Sequence, residues 1–256
     1  KKIPFQTFDK ADKKDITHPE DFLKLKPASH VVHLAGFTGH QDADTELITK
    51  VNLDGTKNVL DYCRKHDSRM IFASSYVYGN PQYLPVDEKH PLFADSPYKA
   101  TKLMAEEACR DYHKMYGIKV TIFRQFNIYG HGQSGSFLIP KIISQLNNNE
   151  IILQDPVPRR DFLHVSDLID AYLMASSKQK NKFEIFNIGS GKSYSIREVV
   201  DLILKVSKKK LKVTFTNERR PNEIMDSVAD ISKIKSLLGW HPKISLEQGI
   251  KLILGK

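Results

Sequence analysis

Cysteine is nearly absent: Cys63 and Cys109 are the only two in 256 residues, and each stands alone within a helical pattern. Two isolated thiols support neither a disulfide framework nor a zinc site, so no metal is expected and a reducing, cytoplasmic setting fits best. Long apolar runs are missing as well. Val31-Val32 and Ile151-Ile152-Leu153 fall far short of the ~20 residues of a membrane-spanning helix, so no membrane partner is expected. Internal repeats and low-complexity tracts are lacking too. Gly189-Ser190-Gly191-Lys192-Ser193 ends like a phosphate loop, but the first glycine of G-x-x-x-x-G-K-[ST] would fall on Phe186, which excludes that motif.

What is present is the composition of a folded protein, 40% apolar and 27% charged, with 39 basic against 30 acidic residues and a formal charge of +9. The excess favours an anionic partner, although much of it lies in solvated clusters such as Lys208-Lys209-Lys210. Aromatic and basic residues show no nucleic-acid-binding module spacing, so no nucleic acid is expected.

Strands alternate with amphipathic helices, the pattern of an α/β fold with a parallel sheet covered on both faces. The strands are expected at Pro4–Phe8, His30–Leu34, Met70–Ser74, Lys119–Phe126 and Glu184–Ile188. Helices are expected at Pro19–Leu25, with Thr17 placed to cap it, and at Asp44–His66, Ser96–Tyr116 and Ser166–Ser177. After about Gly130 the pattern loosens into Gly, Pro and Asn-rich stretches around helices at Ile139–Leu146, Ser195–Ser207 and Ile231–Leu238. These imply a smaller C-terminal lobe. The division expected is 1–130 plus part of 160–190 in the sheet domain, and 131–159 with 190–256 in the lobe.

Tyr98-Lys99-Ala100-Thr101-Lys102 is the most informative segment, because residues four apart share one helical face. A lysine ammonium beside a phenol would lower the tyrosine pKa and make a general acid or base, although Tyr-x-x-x-Lys alone is also a common surface pair. Phe72-Ala73-Ser74-Ser75-Tyr76-Val77-Tyr78-Gly79 puts hydroxyls at the end of an apolar strand, the edge where ligands bind an open parallel sheet. A serine there could relay a substrate proton to the tyrosine, or simply terminate the strand.

With these segments in order, the sequence resembles the extended short-chain dehydrogenases/reductases of the NAD-dependent epimerase/dehydratase group, the relatives of UDP-glucose 4-epimerase. The resemblance is carried by His33-Leu34-Ala35-Gly36, Asn52-Leu53-Asp54-Gly55-Thr56, Ser74 to Gly79, Tyr98 to Lys102, Arg124 to Gly130, Arg160 to Val165 and Arg220 to Trp240. It implies a Rossmann-type doubly wound sheet, N-terminally incomplete here, with a smaller C-terminal substrate-binding lobe. Ser74, Tyr98 and Lys102 would form the catalytic triad, with Lys102 also holding the cofactor ribose. Asp9, Asp15, Ile16, Leu34, Ala35, Gly36 and Asn52 would join Tyr98 and Lys102 around NAD. Ser75, Asn127, Arg160 and Arg220 would bind a nucleotide-diphosphate sugar, the arginines because guanidinium forks suit phosphate oxygens. A homodimer through Asp54–His66 and Ser96–Tyr116 is also implied.

Two departures from the family pattern refine the expectation. Sugar 4,6-dehydratases carry Asp and Glu after the catalytic hydroxyl residue, where Ser75 and Tyr76 stand here, and glucuronate decarboxylases carry a glutamate at the position of Tyr76. A 4-epimerase acting by transient C4 oxidation, or a 4-ketoreductase, therefore fits better than a dehydratase. The tight spacing from the serine pair to Val77-Tyr78-Gly79 leaves Ser75 as an alternative to Ser74 for the working hydroxyl. The other departure is at the front: no strand with a G-x-G-x-x-G-like loop precedes Asp9, the acid expected on the adenosine ribose. A buried parallel sheet is not expected to lose that strand, so a fragment is preferred over a natural deletion. A cofactor-free nucleotide-sugar-binding protein is the reading left if the loop is truly lost. Asp9 favours NAD over NADP, with Lys10 beside it as a counter-indication.

Overall fold

The computed structural model describes residues 4–38, 44–178 and 182–256, and the chain divides into two compact units. The first comprises Lys1–Val77, Leu92–Arg124 and Ala175–Phe186, and the second Tyr78–Pro91, Gln125–Met174 and Asn187–Lys256. This moves 78–91, 125–130 and most of 160–174 out of the sheet domain expected from sequence. Hydrogen bonds account for the shift of 78–91: the Tyr78 hydroxyl donates to Asn187 Oδ1 (2.5 Å), Asn187 Nδ2 donates to the Val86 carbonyl (2.8 Å), and Val86 bridges Ala229.

The first unit is built on strands β1 (His30–His33), β2 (Arg69–Ser75), β3 (Val120–Gln125) and β7 (Phe183–Ile188), in the order β1-β2-β3-β7. β1 and β2 run parallel in the register His30 to Arg69 through His33 to Phe72. Met70, Ile71 and Phe72, and then Val120 to Phe123, are buried without alternation, as expected for strands covered on both faces. Pro4–Phe8, expected as a strand, forms no ladder. Phe5 is 87% exposed, and Phe8 stacks on Phe22 at 4.4 Å. A strand needs a neighbour along its edge, and among the described residues no strand pairs with this segment.

The helix expected over Asp44–His66 is interrupted: α1 (Thr45–Thr49) leads through a π-helical turn, Lys50–Asp54, into α2 (Gly55–His66). Such insertions re-aim side chains, and this one carries Asn52. Pro19–Lys24 is a 3-10 helix rather than an α-helix, and Thr17 does not cap it: its amide and hydroxyl both donate to Asp15 Oδ1 at 2.9 Å. α3 (Pro97–Tyr116) starts where the sequence indicates, with the Ser96 side chain accepting from the Lys99 amide, and ends on left-handed Gly117. Its buried stripe is Thr101, Lys102, Ala105, Glu106 and Cys109, so two charged side chains, Lys102 and Glu106, stand in a helix face that otherwise packs on the core.

The second unit holds β4 (Asn127–Tyr129), β6 (Arg159–His164) and β8 (Ser193–Ser195) in one sheet, and β5 (Glu150–Leu153) parallel to β9 (Lys212–Phe215) in another. β4 runs parallel to β6, which runs antiparallel to β8. Helices α4 (Leu138–Ser144), α6 (Ile196–Ser207) and α8 (Leu246–Ile253) supply Ile139, Ile142, Val199, Val200, Ile203, Leu246 and Ile250 to a core shared with Tyr129 and Phe162. α6 and α8 both open with capping boxes, Ser195/Glu198 and Ser245/Gln248. α5 (Val165–Lys178) supplies the Asp167 carbonyl that accepts from Trp240 Nε1 (3.0 Å), and α7 (Ser232–Leu238) ends one residue before left-handed Gly239. Among the described residues no helix is long and apolar enough to cross a membrane.

Candidate functional site

In the first unit, three residues at the end of β2 meet one face of α3. Ser75 hydrogen-bonds the Tyr98 phenol, Lys102 Nζ donates to the Ala73 carbonyl (2.8 Å), and the Ser74 hydroxyl donates to Glu106 Oε1 (2.5 Å). The serine that reaches Tyr98 is thus Ser75. Ser74, named from sequence as the triad hydroxyl, is buried and spent on Glu106. The shortened link to Val77-Tyr78-Gly79 was the signal that pointed to the second serine. Behind Glu106 stands Arg124 of β3, whose Nε donates to both carboxylate oxygens at 3.1 Å and whose Nη2 donates to Oε2 at 2.6 Å.

Lys102 does not lower the Tyr98 pKa as the i, i+4 spacing suggested. Its Nζ lies 5.9 Å from the centre of the Tyr98 ring, turned to a carbonyl, while burial raises the phenol above its ordinary value and the Ser75 hydrogen bond pulls it back in part. Lys102 itself is pushed down to about 8, chiefly by burial, with Cys109 and Glu106 opposing. An ammonium held near its own titration point inside a wall of Phe72 and Tyr98 can stay charged or release its proton as the environment changes.

The loop after β1 completes this cluster. Leu34, Ala35 and Gly36 are exposed at the strand's end. A side chain on Gly36 would begin 3.2 Å from Lys102 Nζ and 3.4 Å from Asn52 Oδ1, so its absence keeps an open cradle beside the ammonium. Asn52, expected on the cofactor, clamps this loop: Oδ1 accepts from the Phe37 amide (2.7 Å), and Nδ2 donates to the Phe37 carbonyl (2.9 Å) and to Thr101 on α3 (3.0 Å). Below it, Thr56 donates its only hydroxyl hydrogen to the Asn52 carbonyl (2.6 Å). His33 Nε2, 2.9 Å from that hydroxyl, must therefore carry the proton.

The remaining residues expected on the cofactor are placed as follows. Asp9 is exposed and caps the 3-10 turn Lys10–Asp12 through the Ala11 amide (2.9 Å). Asp15 is held below the usual carboxylate range by the Thr17 amide and lies 3.4 Å from Lys10 Nζ. Ile16 is buried, and a Cβ on Gly55 would lie 2.9 Å from its Cγ2. Ile16 packs on Gly55, and Asp15 anchors the turn through Thr17.

In the second unit, Asn127 Nδ2 donates to the Asp161 carbonyl (3.2 Å). Arg160 pairs with Glu223 and donates to the Ile224 carbonyl (2.5 Å), and Arg220 is exposed. Asp161 forms no pair with Arg160. Fully buried, its carboxylate accepts from Ser190 N and Oγ (both 2.6 Å), Gly191 N and Ala229 N (both 3.0 Å). The glycine-rich segment that mimicked a phosphate loop is therefore a turn wrapped on a carboxylate: a Cβ at Gly189 would stand 2.6 Å from Asp161 Oδ2. Glu106 escaped the sequence reading, and Arg124 and Glu223 fell within matched segments with no role assigned. The signal for Glu106 was its spacing, four residues beyond Lys102 in an apolar stripe. Among the described residues no cluster of metal-ligand type occurs.

Comparison with known proteins gives one consistent result. A family model described as GDP-mannose 4,6 dehydratase matches residues 2–253. The chain is 40% identical over 219 residues to a Methanocaldococcus jannaschii protein named "Putative UDP-glucose 4-epimerase", covering 80% of this chain and 68% of that protein. It is 32% identical over 268 residues to UDP-glucose 4-epimerase of Bacillus subtilis, covering 94% and 79%. Among solved structures, RMD from Pseudomonas aeruginosa complexed with NADPH superposes with a TM-score of 0.88 at 29% identity, covering 94% of this chain and 86% of that one. UDP-glucuronic acid 4-epimerase from Bacillus cereus, in complex with UDP-glucuronic acid and NAD, superposes with a TM-score of 0.82 at 28% identity, covering 91% and 78%.

Proposed function

Because the chain belongs to the GDP-mannose 4,6 dehydratase family, within the NAD-dependent epimerases and dehydratases, we propose that it is a nucleotide-sugar 4-epimerase working on a UDP-linked hexose. The observation that carries this reading is the Ser75–Tyr98 hydrogen bond with Lys102 on the same helix face. Ser75 orients the sugar hydroxyl and passes its proton to Tyr98, which must leave its neutral form to take it. Lys102, once its ammonium turns from the Ala73 carbonyl towards the phenol, stabilises that phenolate. No carboxylate follows either serine, since Tyr76 and Val77 come next. Without one, the acid and base needed to expel water from the sugar are missing, which favours epimerisation over dehydration.

The residues present fit NAD: the side-chain-free cradle at Gly36 and the adjacent Lys102 ammonium suit its nicotinamide end, and the exposed acid Asp9 suits its adenosine end. When bound, NAD supplies reversible hydride acceptance from the sugar's C4 carbon. Gly36 lets the ligand approach the backbone, Lys102 binds ribose hydroxyls, and Asp9 accepts from the adenosine ribose. Arg160 and Arg220 are assigned to the diphosphate. Arg160 would exchange or share its Glu223 contact for phosphate oxygens, which the rigid guanidinium fork binds bidentately. Asn127 is assigned to the sugar. Exposed Met104, Met115 and Tyr116 on α3 support a homodimer through α2 and α3.

A 4-ketoreductase using NADPH is the second reading, favoured by the likeness to a structure complexed with NADPH and by Lys10 next to Asp9. Proton NMR of UDP-hexoses incubated with the full-length protein and catalytic NAD decides. Interconversion of the axial and equatorial C4 epimers is expected. Net consumption of NADPH with a 4-keto sugar, and no interconversion, would replace the epimerase with the reductase.

A further inference from the structure

α3 engages the end of β2 through side chains at i, i+4 and i+8, and each takes a different residue of the stretch Ala73-Ser74-Ser75. Tyr98 meets Ser75, Lys102 meets the Ala73 carbonyl, and Glu106 meets Ser74. The first two contacts belong to the chemistry proposed above. The third has no part in it, yet it is the most deeply buried: Glu106 and Ser74 are 2% and 4% exposed. Glu106 is held from its far side by the two-pronged Arg124 contact from the neighbouring strand.

A buried ion pair of this kind is commonly no more stabilising than apolar side chains of the same volume, so stability alone gives no reason for it in an apolar stripe. What an apolar pair cannot do is fix direction and distance. The Ser74–Glu106–Arg124 chain ties three elements at one point, one residue away from both contacts of the Tyr98/Lys102 cluster. A slip of α3 along β2 would break it before disturbing the surrounding apolar packing.

We propose that Glu106 is a positioning residue of the Tyr98/Lys102 site, acting through Ser74 and braced by Arg124 to set where the end of β2 meets the catalytic helix. This rests on reading Tyr98 as the acid/base. The same carboxylate lies one turn from Lys102 and favours its charged form, against burial. The groups around Lys102 are Glu106, Cys109 and Tyr98 of α3 and neutral His33 of β1.

Ser74→Ala removes the link and leaves the Glu106–Arg124 pair intact, avoiding the unpaired buried guanidinium that Glu106→Gln creates. For the full-length protein, kcat of Ser74→Ala is expected to fall by about tenfold or more at an essentially unchanged KM, as misplacement of reacting groups predicts. Ser74→Thr should restore most of it. Unchanged kcat in a folded Ser74→Ala variant would overturn the proposal, as would equal losses for Ala and Thr. A second readout needs no substrate: NMR titration of labelled lysine, with the Lys102 signal assigned by Lys102→Met. Glu106→Gln should move the Lys102 midpoint to lower pH, and an unmoved midpoint would overturn the coupling. If the wild type turns over no UDP-hexose, the epimerase reading fails while this titration still decides the role of Glu106.

Discussion

The Tyr98 phenol is hydrogen-bonded by Ser75, while the adjacent Ser74 hydroxyl turns to the buried Glu106 carboxylate. Two neighbouring serines of identical chemistry thus have different partners. Ser75→Ala should behave like Tyr98→Phe, each lowering kcat by roughly a hundredfold or more, the size of effect typical of lost proton transfer. Steady-state kinetics on both variants checks this. A Ser75→Ala enzyme with wild-type kcat would return the role to Ser74.

Lys102 is expected to give the proposed reaction an alkaline limit. Burial lowers its pKa to about 8, so the ammonium is present below that pH and lost above it. If the charged form supports the Tyr98 phenolate, log kcat/KM of the free enzyme declines as pH rises through about 8. Lys102→Arg, charged throughout, should abolish that decline, whatever its cost in rate. A pH profile of both proteins makes the comparison.

His33 sets an acid limit on stability. Its imidazole is fully buried, and desolvation, with the Lys102 charge second, holds the folded pKa near 3, against about 6.5 in an unfolded chain. Above 6.5 both states are neutral. Between 6.5 and 3 only the unfolded chain takes up the proton, so stability falls as pH drops through that range, by up to about 5 kcal/mol for this group. His33→Gln, which keeps a donor for Thr56, should flatten that part of the curve. Urea midpoints measured from pH 7 to pH 4 test it.

Asp161 organises the second unit by accepting from four donors. Asp161→Asn turns an amide towards backbone amides and should destabilise by roughly 2–3 kcal/mol, the range for hydrogen bonds to a charged group. Gly189→Ala drives a methyl into Asp161 Oδ2 and the Ala229 Cβ, both at 2.6 Å, and should cost about 1–3 kcal/mol as overpacking does. Chemical denaturation of each variant measures both losses.

Much of the fold was legible because local chemistry decided it. Ser96 before Pro97 and Gly117 after Tyr116 bracket α3 wherever that helix packs, and the apolar run Met70-Ile71-Phe72 reads as a strand buried on both faces. Tyr98 and Lys102 were visible for the same reason: four residues on a helix share a face whatever surrounds them. Pro4–Phe8 has strand composition but no ladder, since a strand needs a partner that its own residues cannot supply.

The sequence by itself determined which side chains of α3 share a face and where that helix starts and stops, because these follow from spacing and capping over a few residues. Only the tertiary structure decided which serine reaches Tyr98, that Asn52 clamps a loop, that Asp161 carries a glycine turn, and that Glu106 stands between Ser74 and Arg124. Those are contacts between residues 15 to 68 positions apart, and their partners are chosen by distance and burial in the folded core, quantities that no local spacing contains.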